Sequence, residues 1–175
     1  RWQRTALVVL PVLVVILGMV TLAEYGFGLD LGINQLAFVK PSPNAVDAIA
    51  GGRPAPNTAL NFLLLGSALL GLKNRRYRAA QGLSLGVFLI ALLALTGHLY
   101  TVTEIYRVGS PTGMAIHTAV SFLLLALGPL AATADQGWMQ NLSSRHDGGV
   151  MMRHILPLVF VAPPLMGLGL LLTNN

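Results

Sequence analysis

Nine side chains in this 175-residue chain could do chemistry together: Glu24, Tyr25, Asn57, Asn61, His98, Tyr100, Glu104, His117 and Ser121. Each stands at or near the end of a long apolar run, where a polar group is costly to leave in lipid and is a functional candidate by default. His98 and His117 with a nearby carboxylate suit a divalent metal such as Zn²⁺ or Cu²⁺. Two imidazoles can also ligate haem, although ligands on adjacent helix ends are poorly placed to sandwich a porphyrin. Histidine titrates near neutrality, so the same patch could sense protons or hold a small molecule. The plainer alternative is that these groups hydrogen-bond one another and hold helices in register. No His-x-x-x-His spacing selects the metal, and the cofactor stays open between haem, a divalent metal and none.

Composition names the medium. Hydrophobic residues make up 54% of the chain and charged residues 10%, where soluble domains carry about a quarter charged. Long charge-free runs exclude a soluble α/β domain and point to an integral membrane protein whose first partner is the lipid bilayer. The net charge of +5 does not indicate nucleic acid, because the basic residues cluster at helix ends as orientation signals do. The absence of cysteine excludes disulfides, Cys-ligated metals and a thiol nucleophile. The first apolar run follows Arg1 and Arg4 as a signal peptide would. It is nevertheless as long as a full span and lacks a clear cleavage site, so it reads as a helix.

The patch is positioned by a duplication. Asn57-Thr58-Ala59-Leu60-Asn61-Phe62-Leu63-Leu64-Leu65 matches His117-Thr118-Ala119-Val120-Ser121-Phe122-Leu123-Leu124-Leu125 without a gap, sixty positions later. In each segment a polar residue opens an apolar helix and a second follows four positions on, on one face. That face is expected to point into protein. The match extends backwards, pairing Glu24 with His98 and Asp30 with Glu104. The expected fold is all-α, a polytopic membrane bundle of five spans. Repeat one covers about residues 5–72, with spans Thr5 to Glu24 and Asn57 to Leu72. Repeat two covers about 80–132, with spans Ala80 to Tyr100 and Met114 to Ala132. An extra helix runs from about 150 to 172. The two hairpins are parallel repeats about an axis along the membrane normal, and His98 and His117 are expected to lie near each other. Between spans, Tyr25 to Pro56 reads as loop with a short helix near Ala45 to Ala50, and Thr133 to Gly149 as a polar connection.

Arg1, Arg4, the cluster from Lys73 to Arg78, Arg145 and Arg153 flank alternate loops, which puts the N-terminus in the cytoplasm and the polar patch outside. His146 and His154 stand in an ordinary basic loop on the cytoplasmic side, and Pro163-Pro164 is expected to kink the last span. Enzyme signatures such as Gly-x-Ser-x-Gly, a Walker loop or His-Glu-x-x-His are absent, so no catalytic residue is assigned.

Three stretches carry a family resemblance: Asn57 to Gly66, Gly97-His98-Leu99-Tyr100, and Met114 to Leu125, supported by Glu24 to Leu36 and by Gly148-Gly149 with Arg153. In these the chain resembles the N-terminal integral-membrane sensor regions found ahead of PAS domains in bacterial sensor histidine kinases and diguanylate cyclases. The resemblance implies signal input in a bacterial inner membrane, with kinase or cyclase chemistry in cytoplasmic domains, and assembly as a homodimer or larger complex. No PAS, kinase or cyclase segment is present in the 175 residues, and the last residues fall on the predicted outer side. The expectation is therefore either a piece of a longer sensor or a free-standing relative. From another class, the chain reads as a small membrane subunit of a larger complex that positions a haem, quinone or pigment. A transporter is a third reading, for which broken helices with a midplane charge are lacking.

Overall fold

A computed structural model describes residues 2–28, 54–99 and 113–143, together with Val150, Met151 and His154. Among these residues there is no strand. The helices are α1 (Trp2–Phe27), α2 (Pro56–Lys73), α3 (Tyr77–Leu99), α4 (Ile116–Ala132) and the short α5 (Gly137–Ser143). The first four coincide with the expected spans to within a few residues, and α1 continues through Pro11. Of the expected fifth span, only Val150, Met151 and His154 are described, and they are helical. The short helix expected near residues 45–50 and the Pro163-Pro164 kink lie outside the described residues. One expectation is corrected: the polar connection after Ala132 contains α5, held by a side chain from α3.

Among the described residues two stretches, Thr5–Phe27 and Tyr77–His98, are long and apolar enough to cross a membrane. With 18 and 17 residues, α2 and α4 reach only ~27 and ~26 Å at the helical rise, slightly under a bilayer core of ~30 Å.

Each helix packs antiparallel on the next in chain order, α1 on α2, α2 on α3 and α3 on α4, with a lesser contact between α2 and α4. The seams are built from small residues. One buried row on α3 runs through Ala80, Ser84, Val87, Ala91 and Ala94, and one on α4 runs through Ala119, Phe122, Ala126 and Pro129 to its C-cap Thr133. Steps of four and three alternate in both, the spacing that lets neighbouring helices interdigitate at a shallow angle. Phe62 and Phe122 close the α2–α4 contact edge to face, with ring centroids 5.2 Å apart.

The α1–α2 seam is tightest. A Cβ on Gly18 would stand 2.7 Å from the Ala59 carbonyl oxygen, and one on Gly66 would stand 2.9 Å from that of Pro11. The helix backbones approach closely there because one helix at each contact presents a glycine, Gly18 against Ala59 and Leu63 and Gly66 against Pro11 and Val15.

Large apolar side chains face outward instead: Leu7, Leu10, Leu13, Leu93, Leu124 and Leu125 are all exposed. Only 17% of the apolar stretch in α1, and 33% of that in α3, is buried. A core helix of a soluble protein would invert those proportions.

The α2–α3 turn closes tightly. The N–H of Arg76 donates to the Gly71 carbonyl and that of Arg75 to the Leu72 carbonyl, the paired bonds of a Schellman ending. Arg75 has φ +56 at the position where glycine is the usual choice.

Candidate functional site

One end of the bundle gathers the C-termini of α1 and α3 and the N-termini of α2 and α4. Helix contacts bring the described residues of the expected patch to this end. Tyr25 Oη donates to the Pro54 carbonyl at 3.2 Å, two residues ahead of α2. The His98 ring Nε2 lies 2.6 Å from the Met114 carbonyl oxygen, two residues ahead of α4, and donates to it. Ala55 and Ala115, which follow those acceptors, share an extended backbone with ψ 151. Each then accepts the first helical bond, from Ala59 and Ala119. The sixty-residue offset thus holds for the acceptor, the extended alanine and the first helical residue.

Beyond that point the two segments part. Asn57, Thr58 and Asn61 on α2 are buried, and so are Thr21 and Glu24 on α1. Gly18 seats against Ala59 and Leu63, so the antiparallel register carries Thr21 and Glu24 towards the start of α2. The result is a buried polar seam between α1 and α2 inside an apolar bundle. Asn61 is 0% exposed, and neither its Oδ1 nor its Nδ2 has a hydrogen-bond partner. A carboxamide offers two donors and two acceptor lone pairs, and each buried group left unmatched costs about 1–3 kcal/mol. Ser84 Oγ on α3 is likewise buried without a partner.

His117 and Ser121 behave differently, which corrects the expectation that their face points into protein. Both are exposed, and Ser121 Oγ donates at 2.8 Å to the carbonyl of His117 itself. The physical reason is position in the bundle. Helix α2 has α1 on one side and α3 on the other, whereas α4, among the described residues, has its main neighbour on one side. His98 and His117 do reach the same end, but His98 is spent on a backbone carbonyl and His117 faces away. Among the described residues no three His, Cys, Asp or Glu side chains come together to hold a metal ion. Tyr100 and Glu104 lie outside the described residues. The described residues at this end offer hydrogen bonds and a carboxyl group for binding.

The opposite end holds a site that the sequence reading missed. Gln81, 2% exposed at the start of the second turn of α3, reaches into the α4–α5 connection. Its Nε2 lies 3.1 Å from the Thr133 carbonyl, 3.0 Å from Thr133 Oγ1 and 2.8 Å from the Gln136 carbonyl. Its Oε1 accepts the Trp138 N–H at 2.7 Å. One side chain therefore occupies carbonyls at the end of α4 and caps the start of α5. Gly137 lies against it with φ +59, where a Cβ would stand 2.5 Å from Gln81 Oε1. This is why the polar stretch after Ala132 becomes helical. The available signal was a carboxamide standing next to Ala80 on the buried face of α3.

No protein-family model matches the chain, and no curated protein or solved structure matches it at a significant level.

Proposed function

We propose that the chain is the membrane-embedded input module of a bacterial signal-transduction protein of the histidine kinase or diguanylate cyclase type. On this reading it crosses the inner membrane five times with its N-terminus in the cytoplasm, and reads a small ligand or physical signal at the outer face. The observation that carries the reading is Asn61, fully buried with an unused carboxamide, in a buried seam that also holds Thr21, Glu24, Asn57 and Thr58. A group left unmatched at that cost is understandable where the site must discriminate between two packings. A stimulus that hydrogen-bonds Asn61 or changes the charge of Glu24 would favour one packing of α1 on α2 over another. The glycine contacts at Gly18 and Gly66 make that packing sensitive to small displacements. Kinase or cyclase chemistry would belong to cytoplasmic domains, and the module itself carries none.

The test uses the native-length product in its source membranes. An immunoblot mass well above 18.5 kDa, with an output that changes when external pH or osmolarity is stepped and no longer changes in Asn61→Leu, supports the proposal. A product of 18.5 kDa without an attached output domain overturns it.

One observation favours a second reading, a membrane subunit that positions a haem, quinone or pigment against a partner. The His117 imidazole is exposed on α4 beside Ile116, Val120 and Leu124, an arrangement suited to ligation across a subunit interface. An absorption band in protein purified from source membranes, lost in His117→Ala, would favour it.

A further inference from the structure

At the end of the bundle remote from Glu24, the α2–α3 turn and α5 border a groove of about 490 Å³, within the size range of small-ligand sites. Arg75, Arg76, Tyr77, Arg78, Ala79, Gly137 and Gln140 line it. The described acids are Glu24, at the far end, and Asp135, which is exposed and does not line the groove. Among the described residues, the three arginines therefore share a concavity lined by no carboxylate. The Schellman ending of α2 brings them together, since it reverses the chain within Asn74 to Arg76.

The lining is rich in hydrogen-bond donors. Arginine presents a planar fork of N–H groups that matches phosphate oxygens. The helical ladder of α3 begins with the Ala80 N–H on the Arg76 carbonyl, so the N–H groups of its first turn add to the positive end of the groove. Tyr77 and Gln140, also in the lining, carry a hydroxyl and a carboxamide able to donate.

We propose that this groove binds a phosphate ester anion, with the headgroup of an anionic phospholipid as the source favoured by its place at the end of an apolar bundle. This rests on the membrane reading above. A bound headgroup would span from the α2–α3 turn to α5, the element that Gln81 caps, and so would tie lipid composition to the position of α5.

The experiment is a titration of the full chain in zwitterionic detergent, followed by native mass spectrometry, with short-chain phosphatidylglycerol, short-chain phosphatidylcholine and glycerol phosphate as probes. Phosphatidylglycerol is expected to bind roughly tenfold more tightly than phosphatidylcholine. Arg76→Gln and Arg78→Gln should each weaken it roughly fivefold. Ala79→Phe fills the groove without changing charge and should weaken it comparably, with helicity by circular dichroism unchanged. Lys73→Gln, at the same end but outside the groove, should change it by less than about twofold. Glycerol phosphate competing at equal affinity would assign the site to soluble phosphate esters; failure to compete would assign it to lipid. Equal affinity for the two lipids, or Lys73→Gln as damaging as Arg76→Gln, overturns the proposal. The membrane reading fails separately, if the chain stays in the aqueous fraction when source membranes are sedimented.

Discussion

Asn61 and Ser121 stand at matched positions in two segments of nearly the same sequence, yet one is sealed inside the bundle and the other lies on its surface. Their local geometry is alike: each follows an extended alanine and sits on the second turn of its helix. The difference comes from neighbours. Helix α2 is held between α1 and α3, whereas α4 has a free side among the described residues. The side chains suit those places unequally. A serine satisfies itself on the carbonyl one turn back, as Ser121 does. An asparagine has more hydrogen-bonding capacity than its own helix can use, and in Asn61 that capacity remains unspent. Local sequence sets where a helix starts, and chain order sets what its polar face meets.

The largest expected effect breaks this comparison at the glycines. Gly18→Leu drives a side chain into the α2 backbone and should lower stability by about 3 kcal/mol. Gly128→Leu on α4 meets nothing within 4 Å and should stay within about 0.5 kcal/mol. Thermal unfolding in detergent separates them. Next comes Gln81→Leu, which strips partners from the Trp138 N–H and from the Thr133 and Gln136 carbonyls. A loss of about 2 kcal/mol is expected, with Trp138 fluorescence reporting release of α5 before global unfolding. Asn61→Leu replaces an unmatched amide with an apolar group of similar size and should stabilise by about 1 kcal/mol. Ser121→Leu should leave the midpoint within about 0.5 kcal/mol. The smallest effect sharpens the reading of the turn. Arg75→Gly relieves a left-handed residue and should stabilise by roughly 0.5–1 kcal/mol, while weakening phosphate binding at the groove.

The four long helices were legible because apolar runs bounded by Gly, Pro and Arg are local signals. Pro56 at the first position of α2 and the Lys73–Arg78 cluster mark their ends within a residue or two. The contribution of Glu24, Asn57 and Asn61 to a buried polar patch was legible too, since ionisable or amide groups within apolar runs stand out. The orientation of His117 and Ser121 was not, because the same helical face is buried or bare according to which helix lies beside it. Gln81 and α5 were missed for a related reason. The helix after Gly137 depends on a cap supplied from more than fifty residues away, which no window of local periodicity contains.

The most direct measurement uses the absence of native cysteine. Spin labels placed singly at Asn61→Cys and Ser121→Cys in the full chain, reconstituted in bilayers, report mobility and collision with dissolved oxygen. The account predicts an immobile, oxygen-protected label at position 61 and a mobile, oxygen-accessible one at position 121. Equal mobility and accessibility at the two sites would contradict it, and would remove the buried seam on which the proposed sensing role rests.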